Sequence, residues 1–240
     1  VALPAERHVF DDRLLPPDIP VPRARRSRDA KALRHLDGVH GHSPPIDISQ
    51  VPWLMTSSSS ATVLIVPGLR DHVEDHWQTI LASTLPNARV VPPLEHDKLR
   101  CAARVEALDH ALASIAGPVV LVSHSAGVIT TVHWAQHRRR EIKGALLAAP
   151  PDFDSPLPDG YPTMDVLRQQ GWLPVPRSPL PFPSIVAAST NDPLARMEHV
   201  RELASAWGSR LIDVGAVGHL NPASGFGEWP RALEFVNELS

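Results

Sequence analysis

From residue 61 onward, short apolar runs alternate with amphipathic stretches. The runs are Thr62-Val63-Leu64-Ile65-Val66, Ala88-Arg89-Val90-Val91, Val119-Val120-Leu121-Val122, Gly144-Ala145-Leu146-Leu147-Ala148, Ser184-Ile185-Val186-Ala187-Ala188 and Ser209-Arg210-Leu211-Ile212-Asp213-Val214. Short aliphatic runs rich in β-branched residues read as buried strands. Between them the spacing turns helical. It predicts helices over residues 75–85, 100–115, 196–207 and 230–239, and a further one opening near Val128. The second carries Ala103, Ala107, Leu108, Ala111 and Leu112 on one face and stops at Gly117-Pro118. This alternation predicts an α/β fold: a compact, mostly parallel sheet of about six strands with helices on both faces. A proline-rich stretch, residues 150–183, breaks the rhythm and is expected to be an ordered excursion near the site.

The first sixty residues have no such pattern. Leu15-Pro16-Pro17-Asp18-Ile19-Pro20-Val21-Pro22 is incompatible with helix, and residues 22–34 hold six basic residues and one acid. The expectation is a Pro/Arg-rich, flexible, irregular N-terminal arm over residues 1–60, followed by a folded domain over residues 61–240. Phe10, Leu36, Trp53 and Leu54 are the arm's apolar candidates for docking on the domain.

Composition narrows the partners. The net charge is −3, which gives no general pull toward nucleic acid or an anionic membrane. No apolar run approaches the ~20 residues of a membrane span. The opening residues lack a signal-peptide pattern, and Arg25-Arg26 is not followed by the apolar stretch of a twin-arginine signal. One cysteine, Cys101, rules out an internal disulfide and fits a cytoplasmic location. A small-molecule substrate and a monomer or small homo-oligomer are expected.

In parallel α/β sheets, ligands bind at the carboxyl ends of the strands. The third run ends in Ser123-His124-Ser125-Ala126-Gly127, a strand–turn–helix context with Ser123 in place of the first glycine of G-x-S-x-G. The fifth ends in Ser189-Thr190-Asn191-Asp192-Pro193 and the sixth in Gly215-Ala216-Val217-Gly218-His219. Nucleophile, acid and base thus arrive on one edge in the order Ser125, Asp192, His219. A serine hydroxyl needs a base to take its proton, and the base needs a carboxylate to hold its tautomer. The backbone N–H of Ala126, with one from Leu69 or Arg70, would bind the oxyanion. Asp213, inside a strand, is a poorer acid, and His199, inside a helix, a poorer base. Arg70, His124 and Phe153 are the candidates for touching substrate. His72 and His76 are four apart and could share a helix face as metal ligands, but no third ligand is suitably spaced, so no metal or other cofactor is expected. Trp77 reads as core. The competing reading is a binding or scaffold protein that retains the fold.

Val66-Pro67-Gly68-Leu69, His76-Trp77, Ser123-His124-Ser125-Ala126-Gly127, Pro151-Asp152-Phe153, Ser189-Thr190-Asn191-Asp192-Pro193, Trp207-Gly208, Gly218-His219-Leu220-Asn221 and the tail Ser224-Gly225-Phe226-Gly227-Glu228-Trp229-Pro230 together resemble the YdeN-like small serine hydrolases, which include the retinoblastoma-binding-protein-nine type. The resemblance runs from about residue 61 to the C-terminus. It implies a compact α/β-hydrolase with little or no lid, a Ser125–Asp192–His219 triad, and hydrolysis of small esters, thioesters or amides. Arg70-Asp71-His72-Val73-Glu74 departs from that family's usual Gly-Asp-Ser run, so the oxyanion loop is expected to differ in shape.

Overall fold

A computed structural model of the 240-residue chain describes residues 61–137 and 140–240. The arm expected over residues 1–60 lies outside the described residues.

Six strands form one all-parallel sheet. They are β1 (Thr62–Val66), β2 (Ala88–Val90), β3 (Val119–His124), β4 (Gly144–Ala148), β5 (Ser184–Ala188) and β6 (Arg210–Asp213), in the order β2-β1-β3-β4-β5-β6. The helices are α1 (Trp77–Thr84), α2 (Cys101–Ala113), α3 (Ala126–Ala135), α4 (Met164–Gln169), α5 (Met197–Trp207) and α6 (Pro230–Glu238). The predicted fold class is the observed one. Among the described residues, no helix is long and apolar enough to cross a membrane.

Side chains alternate along each strand, so each central strand feeds two cores. Leu64, Leu121, Leu147 and Val186 point to the face covered by α2, α3, α4 and α5. Val63, Ile65, Val120, Val122, Leu146 and Ile185 point to the face covered by α1 and α6. Both faces of β3, β4 and β5 are buried, which is why their sequences are continuous apolar runs rather than alternating ones. Fully burying one such aliphatic side chain contributes about 1.5–3 kcal/mol.

Two local expectations are corrected. Helix α1 starts at Trp77 rather than residue 75, because His76 turns its side chain back to cap the helix and accepts from the Gln78 N–H at 3.2 Å. His72 and His76 therefore share no helix face; the exposed His72 Nδ1 lies 3.3 Å from Thr79 Oγ1 instead. On α2, the buried stripe is Cys101, Arg104, Leu108 and Leu112, so an arginine occupies a core-facing position.

The chain moves outward from β1 to β2 and then crosses to β3 on the other side of β1. The loops leaving β1 and β3 consequently diverge and open a crevice at the sheet's carboxyl edge.

Candidate active site

Ser125 sits in the turn joining β3 to α3, with φ 55° and ψ −128°. That left-handed conformation costs a non-glycine residue about 1–3 kcal/mol, so the surroundings must hold it. The Ser125 N–H donates to the Ala148 carbonyl at 3.0 Å, tying the turn to β4, and the Val128 N–H returns to the Ser125 carbonyl at 2.9 Å. Gly127 lets α3 approach β1: a Cβ there would lie 2.3 Å from the Val66 carbonyl oxygen. Ser123 fills the other small position. Its buried hydroxyl pairs with Thr131 Oγ1 at 2.8 Å, and Thr131 in turn donates to the Gly127 carbonyl. The serine that departs from the glycine pattern thus adds a tie between strand and helix.

His219 lies opposite on the loop after β6. Its Nε2 is 2.9 Å from Ser125 Oγ, and its Nδ1 is 2.8 Å and 3.0 Å from the two carboxylate oxygens of Asp192. Acid and imidazole side chains are only 3% and 5% exposed, so little solvent screens the contact. An ionised carboxylate only accepts, so Nδ1 carries the proton and Nε2 presents its lone pair to the serine hydroxyl. The three residues predicted from strand ends are therefore joined in one hydrogen-bonded chain.

The loop after β5 sets the position of His219. Asn191 Oδ1 accepts from the Gly218 N–H at 2.7 Å and from the Ser189 hydroxyl at 2.9 Å, and Ser189 Oγ accepts from the Val217 N–H at 3.1 Å. The Leu194 N–H donates to Asp192 Oδ1 at 2.8 Å. Beyond the histidine, its own N–H donates to Ser224 Oγ at 3.0 Å. Gly218, at φ 62°, supplies the bend before it.

The opposite side of the crevice is backbone. Residues Gly68, Leu69, Arg70 and Asp71 form a turn after β1, closed by the Asp71 N–H on the Gly68 carbonyl at 3.1 Å. A Cβ on Gly68 would sit 3.6 Å from Ser125 Oγ, so this turn directly adjoins the serine. Ala126 is the first residue of α3, where N–H groups have no intrahelical partner. Buried Arg104 reaches the turn from α2. Its Nη1 donates to the Gly68 carbonyl and to Asp71 Oδ1, both at 3.1 Å, and its Nη2 to the Leu69 carbonyl at 3.0 Å. Its Nε donates to the Lys98 carbonyl at 2.6 Å.

A cavity of about 240 Å³ opens over Ser125 between these two sides. Its lining includes Leu69, Val73, Leu157 and Leu194, with Leu157 and Tyr161 coming from the proline-rich excursion. That segment is ordered and supplies part of the wall. The three residues predicted to touch substrate all line the cavity, in different ways. Arg70 is exposed. Phe153 is 2% exposed and also packs edge-on against Trp172. His124 is buried, and its Nε2 donates to the His219 carbonyl at 2.8 Å, which locks the loop carrying the base.

Two further histidines of the site stay neutral. Burial, and secondarily the neighbouring His219, pushes His76 down to about 4. Burial pushes His124 well below the ordinary imidazole range, with His219 and then His76 adding to the effect. Trp77 is buried in the core against Trp229 and His124. Cys101 is no rival nucleophile, since burial raises its thiol to about 12. The alternatives weighed in the sequence are otherwise engaged: His199 lies 3.2 Å from Asp152 and Asp213 accepts from the Gly215 N–H. Asp152, Asp154 and His199 gather close enough to hold a cation, but Asp152 is bonded to His199 and Asp154 to Arg177.

Two residues of the site, Arg104 and Gln78, were missed in the sequence, and Ser189 and Asn191 were read only as neighbours of Asp192, with no role of their own. Gln78 is buried and its Nε2 ties β1 to β3 through the Val66 and Val122 carbonyls. Arg104 did leave a signal, as the single charge on the stripe otherwise formed by Cys101, Leu108 and Leu112.

Comparisons with known proteins bear on the family and the fold. Residues 63–238 match the family model described as serine hydrolase. No curated protein matches the sequence. Among solved structures, one described as a YdeN-like hydrolase from Pectobacterium atrosepticum is 30% identical, with a TM-score of 0.63 over 76% of this chain and 94% of that one. The ydeN gene product of B. subtilis is 19% identical, with a TM-score of 0.60 over 75% and 98%. A structure described as a lipase from Acinetobacter baumannii, 15% identical with a TM-score of 0.54 over 76% and 85%, shares the fold. A family match across nearly all the described residues, on a six-stranded parallel sheet of this order, places the chain in the serine hydrolase family, among the YdeN-like members of the α/β-hydrolase superfamily.

Proposed function

We propose that the protein hydrolyses small carboxylic esters, thioesters or amides through an acyl-enzyme on Ser125. The observation that carries this reading is the 2.9 Å contact between Ser125 Oγ and His219 Nε2, backed by Asp192 at 2.8 Å. In the first half-reaction, Ser125 Oγ attacks the substrate carbonyl carbon while His219 Nε2 takes its proton. The carbonyl electrons move onto oxygen, and the N–H groups of Ala126 and of Leu69 or Arg70 donate hydrogen bonds to the oxyanion. The carbonyl re-forms, the bond to the leaving group breaks, and His219 passes its proton to the departing atom. In the second half-reaction, water gives a proton to His219, attacks the acyl carbon, and releases the acid as the proton returns to Ser125. Asp192 stays ionised throughout and stabilises the imidazolium.

Size argues for small substrates. Pockets that enclose drug-sized ligands span ~300–1,000 Å³. The cavity here, about 240 Å³ with an apolar lining, suits a short acyl chain better than a long one. The test is turnover of p-nitrophenyl acetate, butyrate and decanoate by purified wild type and Ser125→Ala. The expected result is hydrolysis that favours the two short chains and disappears in the variant. Retained turnover in Ser125→Ala, or no turnover of any ester by wild type, contradicts the proposal.

A further inference from the structure

We propose that Arg104 is a positioning residue that aims the N–H groups of Leu69 and Arg70 at the oxyanion. The inference rests on the acyl-transfer reading of Ser125 and extends it to a residue on a different element, 35 positions from the loop it holds.

In a trans peptide the C=O and N–H point in opposite directions. The Gly68 carbonyl belongs to the peptide whose N–H is Leu69's, and the Leu69 carbonyl to the peptide whose N–H is Arg70's. Arg104 holds both carbonyls, at 3.1 Å and 3.0 Å, from one guanidinium on α2. Anchoring the two oxygens on that side turns the two N–H groups away from α2. On the other side of Gly68 lies Ser125, whose Cβ would be 3.2 Å from a Cβ placed on Gly68. Fixing carbonyls behind the turn therefore fixes donors in front of it.

The choice of arginine follows from geometry. Two adjacent carbonyls and one carboxylate oxygen are served by two terminal nitrogens in a planar fork, while Nε is spent on Lys98. An ammonium group is a point donor on a flexible stem and cannot span the set with the same rigidity. Asp71 completes the arrangement. Its side chain is 14% exposed, it pairs with the guanidinium, and it turns the chain at φ 55°. The buried charge is thereby neutralised by the loop it orients. This is also the stretch where the sequence departs from the Gly-Asp-Ser run expected of its family.

The test compares wild type with Arg104→Met and Arg104→Lys. The readouts are kcat and KM on p-nitrophenyl acetate, the rate of Ser125 phosphonylation by a fluorophosphonate, and near-UV circular dichroism for the fold. Removing one oxyanion donor lowers kcat by about 10²–10³-fold. Misaiming the loop donors in Arg104→Met is expected to lower kcat by about 10²-fold, with KM within about threefold and phosphonylation slowed in parallel. Arg104→Lys is expected to fall between, because it keeps the charge and loses the fork. A folded variant whose kcat and phosphonylation rate stay within about threefold of wild type overturns the inference, as does a loss confined to KM. If Arg104→Met fails to fold, Arg104→Lys decides by the same readouts. Wild type that is not phosphonylated at Ser125 overturns the proposed function and this inference together. A reactive wild type beside equally reactive Arg104 variants overturns this inference alone.

Discussion

Ser125 and His219, the latter backed by Asp192, face the Gly68–Asp71 turn across one cavity, and the two sides are built in opposite ways. The first side works through side-chain atoms of particular residue types, each at the end of a different strand and linked by contacts of 2.8–3.0 Å. The second, in the proposed reaction, would offer backbone N–H groups that any residue could supply. Its accuracy comes from behind, through Arg104 on α2 and the helix start at Ala126. The lesson is that chemistry carried by side chains leaves its mark at the reacting position. Chemistry carried by the backbone leaves its mark on whatever holds that backbone.

The largest effect should come from breaking the side-chain half. His219→Ala leaves Ser125 without a base; knockouts of the base in comparable triads lower kcat by about 10⁶-fold. Asp192→Asn should cost about 10⁴-fold, since the amide permits the wrong imidazole tautomer. Both are read as kcat on a short p-nitrophenyl ester, with thermal unfolding showing that the fold survives. A His219→Ala protein within tenfold of wild type would break the first half of the comparison outright.

A smaller effect probes the buried histidine beside this site. His76 must be neutral to accept from the Gln78 N–H, and burial lowers it from 6.5 to about 4. Between those values the unfolded chain binds a proton that the folded protein refuses. Its contribution to stability is therefore whole above pH 6.5 and lost as pH falls to about 4. The total is about 3 kcal/mol. Urea unfolding at pH 7.5 and pH 4.5 should show a smaller acid loss in His76→Asn, which keeps a capping oxygen without the titration. Equal losses in both proteins would assign the acid sensitivity elsewhere.

The smallest effect separates support of the turn from chemistry. Ser123→Ala removes the bond to Thr131 and should cost about 1 kcal/mol of stability. Activity should stay within about twofold, because Gly127 and Ala148 still hold the elbow. A tenfold fall in kcat would show that Ser123 shapes the site as well as bracing it.

What the sequence disclosed follows the same division. The central strands β3, β4 and β5 were readable because burial on both faces demands unbroken apolar runs, with β3 extending two residues further, through the polar Ser123 and His124. That Ser125, Asp192 and His219 meet was readable because their types, order and place after strands coincide. Arg104, Gln78 and Asn191 were not, since each satisfies backbone groups more than ten residues away in the chain, and such partners exist only once the topology is known. His76 shows the local version of the difficulty: spacing made it a helix residue, whereas its ring caps the helix start.

The central claim is that Ser125 is the nucleophile, activated through His219. It is tested most directly by treating wild type, Ser125→Ala and His219→Ala with a fluorophosphonate and mapping the adduct by peptide mass spectrometry. The account predicts one adduct, on Ser125, in wild type, none in Ser125→Ala, and labelling slowed by about 10³-fold or more in His219→Ala. An adduct on another residue, or a His219→Ala protein labelled as fast as wild type, would contradict it.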